Sequence, residues 1–169
     1  MGGNSPSLAT IPLFTRFFYR GPWMDSSQVR AKMAYNFRGQ FLAKMDDKSR
    51  LAIPAGLRTF LSEGEELVVT NFIYQQQSCL DVYSKSAWQN LENRIHQLPS
   101  LNADVQAFQR FYLSAGQAVG LDKQNRILIP KALKDYANLG AEVCLVGMGE
   151  KFEIWDASKW QKLNQSLAK

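Results

Sequence analysis

One stretch occurs twice in this chain, and the second copy restricts the fold to which the first can belong. Asp46-Asp47-Lys48-Ser49-Arg50-Leu51-Ala52-Ile53-Pro54 returns as Asp122-Lys123-Gln124-Asn125-Arg126-Ile127-Leu128-Ile129-Pro130. Each copy is an acid, a short polar or charged run, an arginine, three apolar residues and a proline. A strand-like run precedes each acid, Phe41 to Met45 and Gln117 to Leu121, so the unit reads as strand, tight turn, strand, then a proline opening a short helix. Proline suits the first helical position because its missing N–H would have no partner there, and it holds the preceding Ile extended. The register continues at a constant offset of 76 positions through Leu57 and Leu133, Phe60 and Tyr136, Gly64 and Gly140, and Glu66 and Glu142. After a short deletion, Val82-Tyr83 matches Ile154-Trp155 and Trp88 matches Trp160. Two units are too few for a solenoid. The expected fold is α+β, with two pseudo-symmetric half-domains that bury their apolar faces against each other.

The chain divides accordingly. Residues 1–36 match nothing in the repeats and are expected to be a disordered N-terminal extension, with a basic-aromatic arm from Leu13 to Arg20 as the other reading and Met33 as an alternative initiator. Residues 37–100 form the first half-domain with its helix, 101–115 a linking helix, and 116–169 the second half-domain with a terminal helix. In the first half, strands are expected at Phe37 to Met45, Arg50 to Ile53, Glu66 to Phe72 and Cys79 to Tyr83, with Gln75 to Ser78 as a hairpin loop. Trp88, Leu91, Ile95 and Leu98 then step at helical spacing behind a Ser84 or Ser86 cap, and a second helix from about Asn102 carries Val105, Phe108 and Tyr112. In the second half, strands at 116–121, 126–129, 142–147 and 152–155 are interleaved with a helix at 131–138 and a terminal helix over Trp160 and Leu163.

The net charge of +5 invites a nucleic-acid partner, but its distribution matters. Arg16, Arg20, Arg30 and Lys32 against Asp25 put +3 into residues 1–36, which leaves only +2 for the body. Geometry has to concentrate the cations if DNA is to bind. Cys79 and Cys144 occupy non-equivalent apolar positions, so buried inert thiols in a reducing cytosol are expected rather than a disulfide framework. No apolar run is long enough for a membrane span.

Catalytic chemistry has little to stand on. His96 is the only histidine and reads as a surface helix residue near Glu92, without a nucleophile context. Two scattered cysteines and one histidine do not supply a metal-ligand set, and no glycine-rich phosphate loop occurs. No enzyme, metal or cofactor is expected. Asp46 and Asp122 each have an arginine four residues on, which favours ionised carboxylates over a proton-sharing pair.

The acid and arginine fit a rigid turn, with the carboxylate accepting N–H groups of the residues after it and the arginine closing back on it. One reading stops at that structural ion pair. The other has two such turns side by side, presenting Lys48, Arg50, Lys123 and Arg126 on one edge as a ribbon for the major groove, where arginine reads guanine bidentately.

Phe37-Arg38-Gly39, the two Asp-x-x-x-Arg motifs with Leu51-Ala52-Ile53-Pro54, and Phe152-Glu153-Ile154-Trp155 before Trp160 together resemble the MraZ family of bacterial transcriptional regulators over residues 37–169. The resemblance implies two AbrB-like swapped-hairpin half-domains forming a small β-barrel with flanking helices. It implies a sequence-specific DNA-binding regulator, cytoplasmic and nucleoid-associated, acting on repeated sites at the promoter of the division and cell-wall gene cluster as a ring-shaped homo-oligomer. Arg50 and Arg126 would contact DNA with Lys48 and Lys123 as basic neighbours, while Asp46 and Asp122 are structural motif residues. The family commonly has glycine just before the motif arginine; Ser49 and Asn125 stand there in this chain, and serine tolerates a left-handed backbone less well than asparagine. An antitoxin-like or scaffold module that binds protein on the same fold is the competing reading.

Overall fold

The computed structural model describes residues 37–62 and 64–168, and the expectations for residues 1–36 lie outside them. Among the described residues, eight strands, β1 (Gln40–Lys44), β2 (Arg50–Ala52), β3 (Glu66–Tyr74), β4 (Gln77–Ser84), β5 (Gln117–Gly120), β6 (Arg126–Leu128), β7 (Glu142–Gly147) and β8 (Lys151–Asp156), combine with five α-helices. The helices are α1 (Ala55–Arg58), α2 (Lys85–His96), α3 (Ala103–Phe108), α4 (Lys131–Ala137) and α5 (Ala157–Leu167), and α3 runs on into a wider π-helical turn, Gln109–Leu113.

The α+β class is as read from the sequence. Six strands form one antiparallel sheet in the order β1-β7-β8-β4-β3-β5, and β2 and β6 form a separate ribbon. The pairing crosses between the repeats: β1 of the first lies on β7 of the second, and β5 of the second on β3 of the first. The offset of 76 turns the pair Lys44–Glu142 into Gly120–Glu66, so the two contacts are the same contact made twice. In the ribbon Leu51 faces Ile127, its own repeat-equivalent, which puts the pseudo-twofold axis between them.

The barrel expected from the resemblance does not close. The sheet ends on β1 and β5, and next to β1 the ribbon is joined by the isolated Met45–Leu51 bridge and not by a continuous ladder. The Asp46 turn explains this. It closes on itself through Asp46 N–H to Arg50 C=O (3.0 Å), after which β2 leaves β1 to pair with β6 instead of extending the ladder.

Local chemistry accounts for most element boundaries. The β3–β4 hairpin turns on Gln75 and Gln76 alone, both left-handed (φ 45° and 62°), a geometry that matches the twist of the flanking strands. Gln77 and Ser78, expected in the loop, are instead paired with Tyr74 and Ile73. Ser84 caps α2 by accepting the Ala87 N–H, and the Asn102 side chain caps α3 by accepting from Asp104 and Val105. α1 is a single turn, and Phe60 packs on the core from beyond its end.

The sheet buries both faces. On the inner face the ribbon residues Leu51, Ile53, Ile127 and Ile129, with Leu57 and Leu133 from α1 and α4, cover Val69, Val82, Val143 and Phe152. On the outer face α2, α3 and the π-helical turn bring Trp88, Ile95, Phe108 and Tyr112 over Val68 and Tyr83, while α5 brings Leu163 over Cys144, Val146 and Trp155. Both cysteines are free and buried, and burial raises both thiols.

A polar knot lies between these two outer clusters. Asp81 pairs directly with Glu153 across β4 and β8, and a shift of 72 positions makes these two acids repeat-equivalents on the pseudo-axis. Both are buried. Lys151 Nζ donates to Asp81 Oδ2 at 2.6 Å, lies 3.3 Å from Glu153 Oε1, and sits 4.2 Å from the centre of the Phe72 ring. Tyr112 donates its hydroxyl to the same Asp81 oxygen, Thr70 donates to the Tyr112 carbonyl (2.6 Å), and Trp155 donates to Glu153 (2.8 Å). The π-helical turn is thereby tied to the sheet.

Candidate nucleic-acid interface

The two motif turns have the same construction. Asp46 Oδ1 accepts the N–H groups of Lys48 and Arg50, both at 2.9 Å, and Oδ2 accepts Arg50 Nε at 2.7 Å. Asp122 Oδ1 accepts from Gln124 (2.8 Å) and Arg126 (2.9 Å), and Oδ2 accepts Arg126 Nε at 2.8 Å with Nη2 also at 2.8 Å. The backbone closes each turn, Ser49 N–H to Asp46 C=O at 3.0 Å and Asn125 N–H to Asp122 C=O at 2.9 Å. The arginine backbone N–H first, and its guanidinium with it, hold both carboxyls below the ordinary aspartate range. The residue before each arginine is left-handed, Ser49 at φ 62° and Asn125 at φ 57°, as the glycine preference of the resembled family implied.

Antiparallel pairing of β2 with β6 sets the turns at the two ends of the ribbon. Leu51 and Ile127 point inward with no exposure, so Arg50, Ala52, Arg126 and Leu128 share the outer face. Arg50 is paired with Leu128 and Arg126 with Ala52, which makes the two arginines diagonal neighbours, about 7–8 Å apart. Lys48 and Lys123 are exposed at the turn tips but are not repeat-equivalents, since Gln124 matches Lys48 and Asp47 matches Lys123.

Each turn is also gripped by the other repeat. Ile129 N–H donates to Ser49 C=O and Ile53 N–H to Asn125 C=O, both at 2.9 Å. Lys134 of α4 reaches Ser49 Oγ at 3.1 Å, and its repeat-equivalent is Arg58 of α1. This pair of cations lies outside the repeated motif, although the offset of 76 that aligns the motifs aligns them too. His96 is exposed on α2, and Glu92 bonds Trp88 Nε1 (2.8 Å). Among the described residues no helix is long and apolar enough to cross a membrane.

The family model described as the MraZ protein, antitoxin-like, matches residues 36–111 and again residues 113–169. A protein of Heliobacterium modesticaldum named transcriptional regulator MraZ is 40% identical over 132 residues, 78% of this chain and 89% of that one. The protein of the same name from Acetivibrio thermocellus is 39% identical over 125 residues, 74% and 84% of the two chains. That from Moorella thermoacetica is 40% identical over 126 residues, 75% and 85%.

Proposed function

The chain belongs to the MraZ family, and from that premise we propose that it is a sequence-specific DNA-binding transcriptional regulator whose reading surface is the β2–β6 ribbon with its two turns. The observation that carries this reading is the pair of motif arginines on one exposed, pseudo-twofold face, each fixed by its own aspartate. An arginine ordered before binding loses less freedom when it docks. Nε of each, and one N–H of Nη2 in Arg126, are spent on the aspartate, but the nitrogens at the tip carry two protons apiece, so both arginines keep donors for the O6 and N7 of guanine. Arg50 and Arg126 are the base readers in this proposal, and Lys48 and Lys123 contact phosphates. The exchange of strands between repeats supports an AbrB-like swapped-hairpin description of the two half-domains.

The charge balance sets how such a protein would hold DNA. A body of net +2 offers few phosphate contacts per protomer, and contacts of this kind are weak at physiological salt. Affinity then comes from several linked copies on spaced sites. The protein accordingly acts as a ring-shaped homo-oligomer on repeated sites at the promoter of the division and cell-wall gene cluster, nucleoid-associated in the cytoplasm. Titration of DNA from upstream of its own gene tests this. Fragments with three repeats at native spacing bind far more tightly than a single-repeat fragment at matched salt. Equal dissociation constants on the two fragments would remove the multivalent mechanism, and no change in hydrodynamic size with any DNA would favour the protein-binding reading.

A further inference from the structure

We propose that Lys134 and Arg58 are phosphate-contacting residues, each carried by the helix of one repeat to the turn of the other; the proposal rests on the DNA-binding reading above. Charge at the turns is the starting point. In the first turn Asp46 and Asp47 cancel Lys48 and Arg50, and in the second Asp122 offsets one of Lys123 and Arg126. Both motif arginines are already ion-paired within their turns. The turns' own residues therefore offer a polyanion little attraction, and further cations have to stand next to them.

The fold supplies those cations across the pseudo-axis. Because Ile129 is hydrogen-bonded to Ser49 and Ile53 to Asn125, the helix that follows each proline starts beside the opposite turn. Lys134 comes four residues after Pro130 and places Nζ 3.1 Å from Ser49 Oγ. Arg58 comes four residues after Pro54, the same place in the other repeat. Among the described residues neither makes an ion pair with a carboxylate, whereas Lys131 on the same helix as Lys134 is paired with Asp135. Arg58 goes further, because its Nε is buried with no hydrogen-bond partner. Buried donors are nearly always satisfied, so this N–H marks a guanidinium that no acid of its own holds, and the half-buried side chain is left to an anion arriving from outside. The ligand chemistry is a phosphodiester: Lys134 contributes a point charge without a base-reading fork, and Arg58 stands at the same place in the other repeat.

The test uses the full chain with Lys134→Gln, Arg58→Gln and the double variant. Binding is measured on the three-repeat promoter fragment and on an unrelated duplex of equal length, at several salt concentrations. The expected result is an equal fold-loss on both DNAs, and a slope of log K against log salt that is shallower by about 0.9 for each phosphate contact removed. Lys134→Arg and Arg58→Lys keep the wild-type slope. Wild-type affinity and slope in the folded double variant would overturn the inference while leaving the DNA-binding reading intact, as would a loss confined to the promoter fragment. A wild-type chain that binds neither DNA overturns both. If Arg58→Gln does not melt cooperatively, Lys134→Gln alone decides.

Discussion

Lys151→Met removes the single cation between two carboxylates that the pseudo-axis sets face to face. Asp81 and Glu153 are directly opposed across β4 and β8, an arrangement that like charges make unfavourable unless something neutralises it. Symmetry would supply the cation twice or not at all, and the chain breaks symmetry here: the repeat-equivalent of Lys151 is the buried Cys79. Burial works against the ammonium, yet the carboxylate of Asp81, helped by Glu153, outweighs it and holds Lys151 charged well above ordinary lysine. Removing one partner of a buried pair costs about 3–5 kcal/mol, because the other charge stays behind uncompensated. For a body of this size that is a fall in Tm on the order of 10–20 °C.

The pH dependence separates this charge effect from lost packing. Burial first, and the charge of Glu153 second, push the Asp81 carboxyl up to about 6 against the pull of Lys151. The folded state therefore keeps a proton that the unfolded chain releases near pH 4, so this group favours folding as pH falls toward 4 and that advantage is gone above about 6. Without Lys151 the carboxyl climbs further. The variant is thus most destabilised at pH 8 and recovers much of the loss at pH 5. Urea unfolding at both pH values and one protomer concentration gives the comparison. Asp81→Asn added to Lys151→Met restores stability at pH 8. A loss below about 1 kcal/mol at pH 8, or one of equal size at pH 5 and 8, would show that the ion pair does not hold the knot together.

Three further outcomes follow from the turns and the strand contacts. Arg50→Ala and Arg126→Ala each weaken promoter binding by about 5- to 150-fold, the cost of about 1–3 kcal/mol for a lost base-reading arginine, and unchanged affinity in both folded variants would refute the role. Ser49→Gly raises stability by roughly 0.5–1 kcal/mol because glycine adopts φ 62° freely, and Asn125→Gly gains less; thermal melts of the two variants side by side check the order. Gly147→Ala lowers stability by at least about 2 kcal/mol, since its Cβ would lie 2.4 Å from Arg38 N and drive the Phe37–Gly39 backbone off β7, which chemical denaturation reads directly.

What the sequence disclosed depended on how local the chemistry was. The Asp-x-x-x-Arg turns are built from residues within five positions of one another, so their hydrogen bonds follow from the residue types alone. The strand Glu142–Gly147 was legible because its apolar run ends in turn residues on both sides. The Gln75–Ser78 tract reads as a loop because polarity alone marks one, whereas the hairpin needs only two left-handed residues and pairs the rest. The open sheet was hidden because it depends on which distant strand β2 selects after the turn. The polar knot left no trace either, since Asp81, Lys151 and Glu153 look like outward positions of alternating strands until the helices cover them. The Lys134 and Arg58 pair did leave a signal, because both follow a motif proline at one spacing.

The crossing of strands between repeats also has a clock. On the ribosome Leu42 emerges 102 positions before Cys144, its partner, which at about 5–20 residues per second is a wait of roughly 5–20 s. Its own repeat offers a substitute much sooner. Glu66 occupies in β3 the place that Glu142 occupies in β7, and it follows Lys44 by only 22 positions. The nascent β1 is therefore presented with a decoy edge before its true one exists. A molecule that accepted the decoy would have to give up that pairing when β5 arrives to claim β3, an exchange that a separately folding pair of domains would not face.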